Sequence, residues 1–277
     1  MDVYIGFDSA WTNSRKAPGA ICAVCIDEGN AVGFHPPRLV SFTEALAFIE
    51  EVRSDSGVTL IALDQPTVVP NMTGMRPVER VAASLISWLG GGVQPANRGR
   101  LGMFCNAAPI WRFLDEVRAL EDPDLARTAE NGLYLMEVFP ALALASMGFF
   151  GRLSRPRYNP ARRKIFRLID WRRVGDTAAQ RADGHGCGEL AEWCRSAAAI
   201  MQPRKLDQDK LDAALCVLIA LHWRLRSRDE SVILGDLANG YMVAPATAEV
   251  RERLSAAASK YGVAMNGVIS SPHTPMT

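Results

Sequence analysis

Val3-Tyr4-Ile5-Gly6-Phe7-Asp8-Ser9 carries no charge until Asp8, and that charge stands where a turn begins. A short apolar run closed by Asp-Ser reads as a buried strand. The pattern returns in Thr59-Leu60-Ile61-Ala62-Leu63-Asp64-Gln65-Pro66, where the proline stops the ladder and starts a loop. Between the two runs, Gly19–Ile26 predicts a second strand and Val32–Val40 a third. Asp27-Glu28-Gly29-Asn30 joins them with hairpin-turn chemistry. Ser41 then opens a helix, with Glu44 at capping-box spacing. Ala45, Leu46, Phe48, Ile49 and Val52 give it an apolar face. The expected order is an antiparallel meander, a helix and a fourth strand.

Further along, Pro77–Leu89 and Ile110–Leu120 read as helices on either side of a glycine- and asparagine-rich loop, Gly90–Asn106. Leu133–Phe139 reads as a fifth strand, and Ala141–Met147 begins a helix. Arg152–Arg173 is strongly basic, and a turn at Asp183–Gly188 precedes a helix at Glu189–Met201. Asp207–Leu225 has the strongest helical periodicity, through Leu211, Leu215 and Leu218. Val232–Leu234 and Tyr241–Val243 suggest a small hairpin, and Ser270–Thr277 a frayed end. The simplest organisation is one α/β domain over residues 1–250, with a helical insertion between the fourth and fifth strands. A C-terminal helix and tail follow over 251–277.

Composition narrows the function. Hydrophobic residues are 48% of the chain, enough for a sizeable core. A formal net charge of +1 removes any global basic field, so contact with nucleic acid has to come from a local patch. Six scattered cysteines are not the usage of a disulfide scaffold. Cys22 and Cys25 have a zinc-like spacing, but three residues apart on a strand they face opposite sides, which favours core packing. The first residues resemble a strand and not a signal peptide. The apolar run Leu211–Leu225 is broken by Asp212, His222 and Arg224, so a cytoplasmic protein without membrane contact is expected.

The acids carry the chemistry. Asp8 and Asp64 end apolar strands, Glu137 ends a third, and Asp209 and Asp212 sit one turn apart on one helix face. Carboxyl ends of parallel strands form the functional edge of an open α/β sheet. Carboxylates gathered there repel one another, and a divalent cation relieves the cost. Each acid also has a plainer role. Asp8 and Asp64 suit turn caps, Glu137 an ion pair with an arginine across the sheet, and Asp209 the helix dipole.

Five segments occur in a characteristic order: Ile5-Gly6-Phe7-Asp8, Ile61-Ala62-Leu63-Asp64-Gln65-Pro66, Gly74-Met75-Arg76-Pro77-Val78-Glu79-Arg80, Glu137-Val138-Phe139-Pro140-Ala141 and Asp209-Lys210-Leu211-Asp212-Ala213-Ala214-Leu215. With the closing Gly240-Tyr241-Met242-Val243-Ala244-Pro245 they resemble the predicted ribonuclease-H-like nucleases of the domain of unknown function 429, from Asp2 to about Pro245. The resemblance implies a mixed five-stranded sheet with helices on both faces. It implies strand acids at Asp8 and Asp64 and a late-helix acid at Asp212, with Asp209 a turn earlier, and it matches Glu137 to a glutamate-before-proline motif. The chain departs from the family pattern at Glu79, where aspartate is frequent, and at Ser84, where a basic residue is. It follows the family's basic motif only loosely at Arg162-Arg163-Lys164.

The basic segment reads as phosphate-binding or as a solvated helix face. Its charges include Arg152, Arg155, Arg157, Arg162, Arg163, Lys164, Arg172 and Arg173, with Tyr158 and Trp171 as stacking surfaces. Arg76 and Arg80 either point into the same cleft or pair with Asp64 or Glu137. Gly90-Gly91-Gly92 lacks the lysine of a phosphate loop and reads as flexible, and His185-Gly186-Cys187 as a turn. The leading expectation is a phosphodiester hydrolase acting on nucleic acid. Asp8, Asp64 and Asp212 would hold magnesium or manganese, Glu137 and Asp209 would assist, and Arg76, Arg80, Arg162, Arg163 and Lys164 would bind substrate. The alternatives are a binding protein without turnover and, less favoured because no glycine follows Asp8, a phosphotransferase. The oligomeric state is left open.

Overall fold

The computed structural model describes residues 1–267 except 12 and 14–16, so the tail Ser270–Thr277 lies outside the described residues. The elements run β1 (Asp2–Asp8), β2 (Gly19–Asp27), β3 (Asn30–Val40), α1 (Phe42–Val52), β4 (Val58–Leu63), α2 (Pro77–Trp88), α3 (Pro109–Val117), α4 (Pro123–Thr128) and β5 (Gly132–Glu137). They continue with α5 (Pro140–Ser146), α6 (Leu168–Gly184), α7 (Gly188–Ala198), α8 (Lys205–Leu225), β6 (Ser231–Asp236), β7 (Gly240–Pro245) and α9 (Ala248–Tyr261). Five strands form a mixed sheet in the order β3-β2-β1-β4-β5, and β6 and β7 form a separate hairpin. β1 pairs antiparallel with β2 and parallel with β4, and β4 pairs parallel with β5.

Alternation along the strands fills two cores. Val3, Ile5, Phe7, Ile61 and Leu63 pack with α1 and α3 on one face. Tyr4, Cys22, Leu60, Ala62 and Met136 pack with α6, α7 and α8 on the other. Cys22 and Cys25 accordingly lie in opposite cores. Ser41 and Glu44 complete the expected capping box of α1.

α8 is buried along most of its length because it runs directly over β1, β2 and β4. Gly6 permits the approach. A Cβ there would overlap the Ala213 carbonyl and stand 2.6 Å from the Val217 nitrogen. No other residue lets the helix backbone come so close to the strand.

Three local expectations need correcting. The helix expected over Ile110–Leu120 ends at Val117, where Arg118 takes a left-handed conformation with φ 52°. The fifth strand ends at Glu137, because Phe139 is already the N-cap of α5. The stretch from Arg152 is not one helix. Arg162, Arg163 and Lys164 lie in an irregular turn region, and α6 begins only at Leu168. The α6 helix buries Trp171, Val174, Ala178 and Ala182, an apolar face masked in sequence by the surrounding arginines. Between β4 and β5 lie α2, α3 and the short α4. Among the described residues no helix is long and apolar enough to cross a membrane.

Candidate functional site

Strand register places two of the acids together. Phe7 is aligned with Leu63 across the parallel β1–β4 pair, so Asp8 and Asp64 emerge side by side at the carboxyl edge. The Asp64 N–H donates to the Phe7 carbonyl at 2.9 Å and extends the ladder to that point. Asp212 adjoins Ala213, the residue that rests on Gly6, and so reaches the same edge from α8. Asp8 and Asp212 are 7% and 6% exposed and Asp64 is half-buried, so the three carboxyl groups share a largely desolvated corner.

Their electrostatics follow from that burial. Desolvation pushes the Asp8 carboxyl well above the usual range, and Asp64 and Asp212 push it further. Asp64 is raised in the same way, by burial and then by Asp212. Asp212 is raised to about 6 by burial, a rise limited by Lys205 and by hydrogen bonds from Tyr158 and Gln208. The Tyr158 hydroxyl donates to Asp212 Oδ1 at 2.7 Å, and Gln208 Nε2 donates to Oδ2 at 2.7 Å. Lys205 pairs with Asp209. Burial works against the lysine's charge, but Asp8, Asp212 and Asp209 outweigh it and raise its pKa.

Among the described residues no hydrogen-bond donor falls on the side-chain oxygens of Asp8 or Asp64, and the buried Gln208 Oε1 also lacks a partner. These are hard oxygen donors of the kind magnesium or manganese takes. No group of three or more His, Cys, Asp or Glu among the described residues is gathered tightly enough to hold an ion by protein ligands alone. An ion at these carboxylates would need further ligands, such as water, beyond the side chains.

Glu137 ends β5 level with Leu63 and so shares the edge, but its oxygens are taken. Arg76 grips it with Nη2 at 2.6 Å from Oε1 and Nη1 at 2.9 Å from Oε2, and the Thr67 N–H donates to Oε2 at 3.0 Å. The other side of Arg76 pairs with Glu79 at 3.0 Å, and Nη1 also donates to the Val68 carbonyl. Arg76 is 0% exposed. The expectation that Arg76 contacts substrate is therefore corrected. It is a buried clamp that holds the loop after β4 and the start of α2 against β5. Glu137 faces a guanidinium, and both of its oxygens are already engaged by Arg76. Glu79, the departure from the family pattern, uses its carboxylate for Arg76 and for the Ala96 N–H.

Beside Asp212 opens a cleft of about 410 Å³, lined by Arg155, Arg157, Tyr158, Arg162, Gln208 and the glycines at 90–92. Tyr158 and Gln208 thus form the wall between the basic cleft and the acidic cluster. The glycine loop is not merely flexible. The Arg155 N–H donates to the Leu89 carbonyl at 2.7 Å, and a Cβ on Gly91 would strike the Arg155 side chain. Arg162 faces this cleft, whereas Arg163, Lys164 and Arg80 are exposed and do not line it. Tyr158 and Trp171 are buried and are not stacking platforms. Tyr158 serves Asp212, and the Trp171 indole donates to the Ala197 carbonyl at 3.0 Å.

Sequence reading missed Lys205 and Gln208 as members of the site. Their i to i+4 spacing to Asp209 and Asp212 was the available signal. Tyr158 is 54 residues from its partner, and no local pattern announces it.

Residues 6–237 match the profile of a family described as a protein of unknown function, DUF429, and the chain belongs to that family. No curated protein and no solved structure matches it.

Proposed function

We propose that the protein is a divalent-metal-dependent phosphodiester hydrolase acting on nucleic acid, built on a ribonuclease-H-like fold. The observation that carries this reading is the convergence of Asp8, Asp64 and Asp212 beside a cleft walled by Arg155, Arg157 and Arg162. The order β3-β2-β1-β4-β5, with a meander leading into parallel strands, supports the fold reading.

In this reading Asp8, Asp64 and Asp212 hold magnesium or manganese, which when bound supplies charge neutralisation at the phosphate and a more acidic water. Tyr158 and Gln208 fix the Asp212 carboxylate by occupying one lone pair on each oxygen. The arginines of the cleft offer guanidinium forks to the phosphates flanking the scissile one. Lys205 offsets part of the carboxylate repulsion and keeps Asp209 turned to itself.

Lys205 also favours a second reading. A cation already present in the protein stabilises the cluster without metal, as expected of a binding protein that does not turn over substrate. One experiment separates the two. Thermal melting in EDTA, magnesium and manganese is paired with cleavage assays on single- and double-stranded DNA and RNA. Metal-dependent stabilisation together with cleavage supports the hydrolase. Neither, with nucleic-acid binding retained, supports the binding protein.

A further inference from the structure

A second cavity lies away from the acidic cluster. It has a volume of about 940 Å³ and lies between α6, the end of α5 and the C-terminal end of α8. His222 lines it, ten residues after Asp212 on α8, which at helical rise is roughly 15 Å away. Arg172, Arg173, Arg181 and Arg226 also line it, against only Asp176 and Glu230 as acids.

Among the described residues none of these four arginines is ion-paired. They are held instead by neutral acceptors. Arg173 donates to the Gly148 carbonyl at 2.9 Å, Arg181 to the Ser146 carbonyl at 3.1 Å and Arg226 to the Gly184 carbonyl at 2.7 Å. Arg172 donates to the Met201 sulfur at 2.8 Å. Each guanidinium has five N–H donors, so these bonds fix the forks while leaving their charge and most of their donors unspent. Between them His185 and His222 stand edge to face, with ring centroids 6.3 Å apart. Burial lowers the His185 pKa to about 4, with Arg226, His222 and Arg181 adding to the fall. Burial also lowers that of His222, against the pull of Glu230. Both rings are neutral in an unbalanced positive field.

A smaller hollow of about 140 Å³ shares Arg181, His185, His222 and Glu230 with the large cavity and is also lined by Leu218, Pro245 and Ala246. Guanidinium forks beside an apolar hollow match a ligand with one anionic group and one organic group. The size is that of a small-molecule site. A pocket of this size, with apolar side chains beside its guanidinium forks, suits such a ligand better than a continuous strand.

We propose that this cavity is a second binding site, for a small organic phosphate of nucleotide size. Arg172, Arg173, Arg181 and Arg226 take the phosphate, and the Leu218–Pro245–Ala246 hollow takes the apolar part. The site stands apart from the metal reading above and needs no metal.

Calorimetric titration of the whole protein in EDTA tests it, with adenosine monophosphate, inorganic phosphate and adenosine as probes. The expected result is saturable binding of one adenosine monophosphate per chain, weaker binding of phosphate, and none of adenosine. Arg181→Ala combined with Arg226→Ala should weaken binding at least tenfold. Arg172→Ala, at a residue whose only side-chain hydrogen bond among the described residues is to the Met201 sulfur, should weaken it several-fold while melting as the wild type does, and it decides the matter if the double variant fails to fold. No saturable binding of adenosine monophosphate or phosphate up to millimolar concentration would overturn the proposal. So would unchanged affinity in these variants, or a short single-stranded oligonucleotide that binds more tightly than adenosine monophosphate and displaces it.

Discussion

Gly6 of β1 lies directly under the backbone of Ala213 on α8, with no room for a side chain between them. Asp8 is two residues from the first and Asp212 is next to the second, so this one contact sets the distance between two carboxylates. Gly6→Ala must push the helix off the sheet or bend the strand. It should destabilise the protein by about 1–3 kcal/mol through overpacking. In the metal-binding reading it should also weaken magnesium affinity. Thermal melting and magnesium titration of the variant check both. A variant as stable as the wild type would show that α8 shifts freely.

Asp8→Asn removes one charge from the repelling cluster. Because the folded-state pKa of Asp8 lies above its unfolded value, ionising it opposes folding at neutral pH. The variant in EDTA should therefore melt no lower than the wild type, and should lose whatever stabilisation magnesium confers. If Asp8 is instead a turn cap, asparagine should replace it without loss, and the response to magnesium and the activity should survive.

Arg76 belongs to the architecture. Arg76→Ala would leave Glu137 and Glu79 buried without their partner, and should cost about 3–5 kcal/mol in urea denaturation. Nucleic-acid affinity of the fraction that remains folded should not change. A stable variant with a selective binding defect would return Arg76 to the substrate site.

The two parts of the basic segment should behave differently. Arg155→Ala with Arg162→Ala should flatten the salt dependence of nucleic-acid binding by about 0.7–0.9 in log–log slope per lost phosphate contact. Arg163→Ala with Lys164→Ala, outside the cleft, should change the slope less. Binding measured across a range of potassium chloride concentrations distinguishes them, and equal effects would mean that the cleft is not the track.

His185 gives a pH signature of opposite sign to the acids. Its folded pKa of about 4 lies below the unfolded value of 6.5, so the unfolded chain takes up the proton first as pH falls. Its contribution to stability is complete above pH 6.5 and is lost as pH drops towards 4. His185→Asn should lessen the acid sensitivity of unfolding in that window, and NMR titration should place the imidazole near 4. A titration near 6.5 would show that the ring is not desolvated.

Much of this architecture is written locally. Val3–Asp8 and Thr59–Leu63 are short apolar runs ended by an acid, and period and punctuation suffice to make them strands with Asp8 and Asp64 at or just beyond their ends. Leucine spacing makes α8, and Asp209 and Asp212 share its face for the same reason. Adjacency of the acids then needs only the parallel pairing of β1 with β4 and a helix laid across them. What local patterns cannot carry is the partner of each charge. Arg76 and Glu137 are 61 residues apart, and Tyr158 and Asp212 are 54 apart. An arginine that binds phosphate and one locked in the core are the same letter. Only the packing of the loop after β4 against β5 removes Arg76 from solvent, and only the fold of the 153–158 stretch against the glycine loop leaves Arg155 lining the cleft. Charge is a property of the residue, but its availability depends on which groups, distant in the chain, reach it first.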